Sequence, residues 1–245
     1  MKQILLTVYF WTVSAVLILT TFITCLICRP FVDDKTFSRI YELITGNVLI
    51  YFMTIPGFWS LKVKDRRLDK SWDNKQYIII ANHLSFVDTM FMSIIPLKKK
   101  YMVGYIFTKI PVFGWLTKSS GYIHADKHKP EINKDAVTKA IDAIYKDGCS
   151  FAIYPEGQRE LKPYNFERFK TGAYRIAHNT KIPILPITLK GTAEAMPIGG
   201  LVNFSDIEIT IDEPFYVTDD DYSKYIEKSK QILGNNFKKN EIIIK

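Results

Sequence analysis

The sequence predicts an α/β fold with a mostly parallel central sheet covered by helices, preceded by an N-terminal membrane-embedded helical hairpin. Two observations support this prediction. After residue 62, short continuous apolar runs alternate with longer helix-like stretches, which is typical of parallel strands buried between helices. Before residue 62, two long uncharged apolar runs flank a short polar connection. We therefore expect a membrane-anchoring hairpin at residues 1–61 and a second domain at residues 62–245.

Composition agrees with one α/β domain plus an anchor. The 245 residues are 47% hydrophobic, which is too apolar for a disordered chain. Residues 1–61 hold four Lys or Arg and three Asp or Glu, so +7 of the formal net charge of +8 lies in residues 62–245. A basic domain beside an apolar segment favours membrane lipids or phosphorylated ligands as partners. No zinc-finger spacing or RNP-type motif supports nucleic acid, and three cysteines without a framework fit a reducing compartment.

The first uncharged run, Ile4–Cys28, has 25 residues and is long enough as a helix to cross a hydrocarbon core about 30 Å thick. The second run, Leu43–Leu61, contains Pro56 and Gly57 and is a poorer spanning helix. Several Lys and Arg residues follow it at once, which indicates a cytoplasmic side for the second domain. The hairpin either spans the membrane twice or lies within one leaflet.

The elements of the second domain follow from the apolar runs and their periodicity. The predicted strands are Tyr77–Ala81, Tyr122–His124, Phe151–Tyr154, Ile184–Leu189 and Ile207–Ile211. The predicted helices are Thr89–Ile95, Glu131–Lys146, Thr171–His178 and Tyr222–Leu233, the last of them stopped by Gly234. The final residues, 238–245, fit either an edge strand or a loose tail.

The first candidate site is the pair His83 and Asp88, at a junction between a strand and a helix. A neutral imidazole can accept the proton of an attacking hydroxyl, and a nearby carboxylate fixes its tautomer and stabilises the imidazolium. Asp88 also fits a capping box with Ser85 as N-cap, and the two interpretations are compatible. A serine-hydrolase site is disfavoured because the chain contains no G-x-S-x-G motif.

Two further clusters each follow a predicted strand. Tyr154-Pro155-Glu156-Gly157-Gln158-Arg159 combines a glycine, where the backbone can turn sharply, with a guanidinium suited to phosphate, although an ordinary solvated turn has the same composition. Gly121–Lys127 ends in a cation that could face an anion. A metal site at His124 and His128 is disfavoured because no third ligand is evident. The pair Pro183 and Pro186 brackets another strand and is expected to shape it.

These blocks, in this order, resemble the PlsC-type glycerolipid acyltransferases, the 1-acyl-sn-glycerol-3-phosphate acyltransferases. Asn82-His83-x4-Asp88 is similar to their N-H-x4-D block, and Glu156-Gly157-Gln158-Arg159 to their E-G-T-R block. Gly121–Lys127 resembles the second block, which usually ends in Arg, and Pro183–Pro186 the last. The resemblance covers residues 75–200. Lys127 in place of Arg loses the bidentate fork, and Gln158 stands where Thr is usual.

The resemblance implies an enzyme that moves a fatty acyl group from an acyl thioester to the free hydroxyl of a lysophospholipid, most simply 1-acylglycerol-3-phosphate, giving phosphatidic acid. The implied catalytic residues are the general base His83 and its partner Asp88. The implied substrate-binding residues are Asn82, Lys127, Glu156, Gly157 and Arg159. No cofactor or metal is implied, and acyl-CoA or acyl carrier protein is the acyl donor. The basic run Lys98–Lys100 would attract this donor or anionic lipid, although an ordinary solvated loop has the same composition.

The alternatives are another lysophospholipid acceptor, a transacylase, or a non-catalytic membrane-tethered lipid-binding protein. The sequence leaves the acceptor, the acyl chain length and the choice between acyl-CoA and acyl carrier protein open.

Overall fold

A computed structural model describes residues 1–33, 36, 37, 39, 40, 43–126, 129–159, 166 and 168–238. The helices are α1 (Lys2–Cys28), α2 (Leu49–Thr54), α3 (Asp88–Met92), α4 (Phe113–Ser119), α5 (Pro130–Asp147), α6 (Gly172–Thr180), α7 (Thr192–Ala195) and α8 (Tyr222–Lys238). The strands are β1 (Trp59–Asp65), β2 (Ile78–Ala81), β3 (Lys99–Gly104), β4 (Ile123–Ala125), β5 (Ser150–Ile153), β6 (Ile184–Lys190) and β7 (Ser205–Ile211). Short 3-10 segments at Arg29–Phe31 and Tyr105–Lys109 and a π-helical segment at Leu43–Val48 complete the described elements.

Within the described chain, the seven strands form one sheet in the order β1-β7-β6-β2-β5-β3-β4. Five of the six neighbouring pairs are parallel, and only β6 and β7 are antiparallel. The predicted α/β fold with a mostly parallel sheet is therefore confirmed. β2 lies at the centre, and the carboxyl ends of β2, β5 and β4 meet at one edge, where open α/β sheets commonly bind ligands.

Two apolar layers cover the sheet. On one face, α5, α6 and α8 pack against residues such as Ile78, Ile80 and Phe151. On the other face, α1, α2, α3 and α4 pack against Ile79, Ala81 and their neighbours. Because side chains alternate along a strand, consecutive residues of β2 serve opposite layers, and a continuous apolar strand is what a sheet buried on both faces requires.

The N-terminal segment has one of the two predicted long helices. α1 is the single helix among the described residues that is long and apolar enough to cross a membrane. The second apolar run is helical only from Leu43 to Thr54 and then continues as β1, because Pro56 and Gly57 interrupt the helix. Twelve residues reach only about 18 Å, which is short of the hydrocarbon core of a membrane. The sequence left open whether the hairpin spans twice or lies within one leaflet, and the hairpin itself stays a prediction.

The boundary proposed between residues 61 and 62 falls inside β1, which begins at Trp59. The division into two domains stays a prediction, since α1 and the sheet share one apolar layer.

Several elements differ from the predictions: α4 and α7 were not predicted, α3 ends at Met92 instead of Ile95, and two strands and the end of α8 also differ. β1 and β3 carry several lysines and were not predicted as strands. Lys99 and Lys100, expected on a basic surface, are buried at 2% and 6% exposure. The ammonium group of Lys99 donates to the carbonyls of Ile95 and Leu97, and that of Lys100 pairs with Asp147. α8 continues through Gly234 to Lys238, because packing of its apolar face outweighs the roughly 1 kcal/mol preference against glycine. Residues 239–245 lie outside the described residues.

Candidate active site

A tight turn after β2 carries the first predicted site. The chain leaves the strand at Ala81 and enters α3 at Asp88, within a stretch that is buried almost throughout. The Asp88 carboxylate accepts backbone N–H groups of Leu84 and Ser85, each at 2.7 Å. The bond to the Ser85 N–H is the one that the carboxylate of a capping box makes, but the helix begins at Asp88 with Val87 as its N-cap, so Ser85 is not the N-cap that was predicted. The Ser85 hydroxyl instead donates to the carbonyl of Met196 at 2.7 Å and ties the turn to the loop after α7.

The same Asp88 oxygen faces the imidazole of His83. Nδ1 of His83 lies 2.9 Å from Oδ2 of Asp88, with Asp88 fully buried and the His83 side chain 19% exposed. The ionised carboxylate can only accept, so Nδ1 carries the proton and Nε2 is left as the basic nitrogen. Nε2 has no hydrogen-bond partner within the described part of the chain. This is the geometry that a general base requires.

Tyr154, at the end of β5, supports the imidazole from its face. The two rings stack with centroids 4.0 Å apart and an interplanar angle of 13°. The Tyr154 hydroxyl donates to Oγ1 of Thr89 at 3.3 Å. Desolvation, reinforced by the negative charge of Asp88, raises the pKa of Tyr154 well above 10, so the phenol stays neutral. The sequence placed Tyr154 beside the second cluster but assigned it no role, because stacking depends on how β2 and β5 align.

Asn82 and Glu156 are buried and hold the turn in place. The Asn82 amide donates to the carbonyl of Leu189 and accepts its N–H, both at 2.8 Å. The Asn82 side chain is fully buried and bonded at both ends to β6, which positions the turn; its contact with substrate stays a prediction. Oε1 of Glu156 accepts the backbone N–H of His83 at 3.1 Å, and Glu156 is 4% exposed. Both residues therefore fix the backbone of the histidine.

Gly157 and Arg159 follow on the exposed side of the same loop. Gly157 has φ +70°, a backbone conformation that disfavours any larger residue; a Cβ there would also lie 2.6 Å from the ammonium nitrogen of Lys170, whose flexible side chain would have to move. Arg159 is exposed and lines the same cavity as His83. Lys127, predicted as the second phosphate contact, lies outside the described residues, as does His128.

A cavity of about 200 Å³ extends from these residues into the apolar layer that contains α1. His83, Tyr154 and Arg159 contribute to its wall, and the rest is mostly apolar, with side chains from α1, β3 and α4 such as Leu17, Val103 and Leu116. The side chains of His83, Tyr154 and Arg159 therefore lie next to a mostly apolar space. This cavity could not be predicted from the sequence, because its walls come from segments far apart in the chain.

His124 lies in β4, and its Nε2 is 3.2 Å from Oγ1 of Thr117, which also lines the cavity. Burial, with a smaller effect of the nearby Lys118 charge, lowers the pKa of His124 and favours the neutral ring. Among the residues that the structure describes, no group of three His, Cys, Asp or Glu side chains could hold a metal ion.

Comparisons with known proteins identify a family and several relatives. The profile of the Acyltransferase family matches residues 62–190. A chloroplastic 1-acyl-sn-glycerol-3-phosphate acyltransferase of Brassica napus is 32% identical over 141 residues, which is 57% of this chain and 40% of that protein. A 1-acyl-sn-glycerol-3-phosphate acyltransferase of Saccharomyces cerevisiae is 27% identical over 207 residues, covering 82% of this chain and 67% of that protein.

The fold also has a crystallographic counterpart. The 1-acyl-sn-glycerophosphate acyltransferase PlsC of Thermotoga maritima superimposes with a TM-score of 0.77 at 20% identity, over 100% of this chain and 98% of that one. Its likeness concerns the fold alone. The chain spans about half the length of the first curated relatives it matches, 40% of one and 58% of another. Because the family profile covers more than half of the 245 residues, and includes the turn with His83 and the loop with Arg159, this chain belongs to the acyltransferase family.

Proposed function

We propose that this protein transfers a fatty acyl group from an acyl thioester to the free hydroxyl of 1-acylglycerol-3-phosphate, giving phosphatidic acid. The observation that carries the proposal is the pair His83 and Asp88 beside an apolar cavity and an exposed arginine. The names of the curated relatives support the acceptor and the reaction.

In the proposed reaction, Nε2 of His83 removes the proton of the acceptor hydroxyl as its oxygen attacks the thioester carbonyl. The C–S bond then breaks, and the thiol takes up the proton from the imidazolium. Asp88 keeps the imidazole in the required tautomer and stabilises its positive charge. Tyr154 limits tilting of the ring, because the stacked planes lie 4.0 Å apart. No covalent acyl-enzyme, cofactor or metal ion takes part.

The apolar cavity is the proposed place of an acyl chain. Its volume is about 200 Å³ and its walls are mostly apolar, so it can hold part of a fatty acyl chain. Arg159 is the proposed phosphate contact, since its planar guanidinium can donate two parallel hydrogen bonds to an anion. Lys127 remains the proposed second cation, and acyl-CoA or acyl carrier protein the donor.

The packing of α1 supports a position within one leaflet of a membrane. Residues from Thr7 to Phe22 contact the catalytic domain: Thr7 Oγ1 accepts the N–H of Val202, and Phe22 meets Trp115 edge to face. These contacts span about 22 Å of helix. A helix held against the domain over that length would carry the domain into the hydrocarbon if it crossed the bilayer. We therefore propose that α1 lies in one leaflet, with the domain on the cytoplasmic side.

Acyl transfer in membranes containing the purified full chain tests the reaction. Labelled 1-acylglycerol-3-phosphate and acyl-CoA are supplied to the wild type, to His83→Ala and to His178→Ala. His178 is the matched control, because it lies on α6 at the opposite face of the sheet. We expect His83→Ala to lower kcat by about 10²- to 10⁴-fold and His178→Ala to retain activity. Full activity of a folded His83→Ala variant would refute the mechanism.

A further inference from the structure

One face of the molecule carries almost all of its exposed large apolar side chains. Away from the α1 side, within the described residues, the strongly exposed ones include the tyrosines Tyr145 and Tyr216; Leu68, which follows β1 between charged neighbours, is 90% exposed. On the α1 side they are numerous outside α1 itself and include Phe31, Tyr51, Ile55, Ile106, Leu201 and Phe204. Tyrosine tolerates water through its hydroxyl, whereas contiguous exposed Ile, Leu and Phe mark a contact with something apolar.

The loop from Met196 to Phe204 is the part of this surface that the reaction does not explain. Its nine residues contain no charge, and Ile198, Leu201 and Phe204 are exposed at 38%, 42% and 55%. The N–H of Gly200 donates to the carbonyl of Pro197 at 3.0 Å, with Gly199 at φ +72°. A glycine at the third position of such a turn fits type II geometry and presents Ile198 at the tip.

Both ends of the loop are anchored. Met196 accepts the hydroxyl of Ser85 in the catalytic turn, and the N–H of Val202 donates to Oγ1 of Thr7 on α1 at 2.9 Å. The Phe204 ring meets Phe58 edge to face at 5.7 Å, and Phe58 in turn meets Tyr9 of α1. The exposed residues of the loop are therefore continuous with the outward side of α1, where Leu5 and Val8 are 64% and 59% exposed.

We propose that the loop of residues 196–204 inserts into the lipid leaflet beside α1, as a second membrane-contacting element located in the catalytic domain. The inference rests on the proposed position of α1 in a membrane. Continuity with α1 identifies the occupant as lipid: the loop lies beside an apolar helix and presents no charge to a protein or polar partner. The turn holds Ile198 and Leu201 ready for burial, so little conformational entropy is lost on insertion. Through Met196 and Ser85, the depth of the loop sets the height of His83 above the leaflet.

Depth-dependent quenching tests the inference. Cys25→Ala, Cys28→Ala and Cys149→Ala remove the native thiols, and one cysteine is then placed at Leu201, at Val16 on the exposed side of α1, or at Tyr145 on the opposite face. Each is labelled with an environment-sensitive fluorophore in the full chain. The protein is reconstituted with phosphatidylcholine vesicles containing phosphatidylglycerol and lipids that carry a quencher at the head group or along the acyl chain.

We expect the Leu201 and Val16 labels to lose about half of their emission or more to acyl-chain quenchers, as residues buried roughly 5–10 Å below the head groups do. The Tyr145 label should be unaffected. Quenching at Val16 without quenching at Leu201 would overturn the loop inference and leave the membrane position of α1 intact. Absence of quenching at both positions would overturn the inference together with the proposed position of α1. Thermal melting of each labelled protein verifies that it is folded.

Discussion

Replacement of Asp88 by Asn tests the electrostatic part of the proposed mechanism. The substitution preserves shape, and an amide oxygen in the place of Oδ2 can still accept the N–H groups of Leu84, Ser85 and the imidazole. What is lost is the negative charge that faces the imidazolium formed during acyl transfer.

The magnitude follows from the geometry. Nδ1 and Oδ2 are 2.9 Å apart, so the centres of the two charges are roughly 4 Å apart, and their attraction is about 4 kcal/mol at an effective dielectric constant of about 20. Part of this stabilisation is already present with the neutral ring, through the hydrogen bond. We therefore expect Asp88→Asn to lower kcat by about 10²- to 10³-fold. Because Asp88 is fully buried and touches no substrate, KM for both substrates should be nearly unchanged.

The assay is initial-rate acyl transfer with purified enzyme in vesicles, at saturating and limiting concentrations of each substrate. Asp212→Asn is the matched control: this carboxylate binds Arg66 and Asn236 and directly follows β7, which is two strands away from β2. Asp212→Asn should lower thermal stability and leave kcat unchanged. If folded Asp88→Asn keeps kcat within about threefold of the wild type, the charge is not used, and the assignment of Asp88 as the partner of a catalytic base fails.

Substitutions at three other positions report on the surroundings of this pair. Arg159→Ala should raise the acceptor KM by about 10-fold or more with a smaller change in kcat, because the proposed phosphate contact exists in the ground state; an unchanged KM in steady-state kinetics would remove Arg159 from that site. Tyr154→Ala should lower kcat by about 10-fold, whereas Tyr154→Phe, which keeps the stacked ring, should stay near wild type; equal kinetics for both variants would contradict the stacking role. Burial lowers the pKa of His124 below 6.5, so the unfolded chain binds a proton more readily there and stability should fall as the pH drops below about 6.5. In melting experiments, His124→Gln should reduce that slope, and an identical pH dependence would show that His124 does not cause it.

The apolar strands were predictable because apolar residues dominate them, most clearly in the run Ile78–Ala81. β2 and β6 began within one residue of their predicted positions. β3 was not predicted as a strand, because its lysines suggested a segment exposed at the surface. Lys100 is buried only because Asp147 lies beside it, and that partner is 47 residues away in the chain. A buried ion pair of this kind cannot be identified from the sequence near either residue.

In the candidate site, too, contacts between residues close in sequence could be predicted, and contacts between distant segments could not. His83 and Asp88 are five residues apart, and a single turn is enough to bring them together, so the sequence could predict their contact. The stacking of Tyr154, the bond from Glu156 to the His83 backbone and the cavity walls depend on how distant segments pack. Asn82 could be recognised as part of the turn, but its partner Leu189 is 107 residues later. Local spacing thus identified the reacting groups, and tertiary packing determined what supports them.

The bond between Asn82 and β6 also bears on when this protein becomes competent during its synthesis. The Asn82 side chain continues the hydrogen bonding of β2 with β6 after the main chain has turned away, and Ser85 likewise needs Met196, 111 residues later. Contacts across such separations form late, because a long loop must close first. A nascent chain that has just emerged through β5 would therefore hold His83 and Asp88 in an unfixed turn. The base acquires its fixed orientation only after the chain as far as Met196 has left the ribosome, so a partly made chain in contact with a membrane is not yet a catalyst.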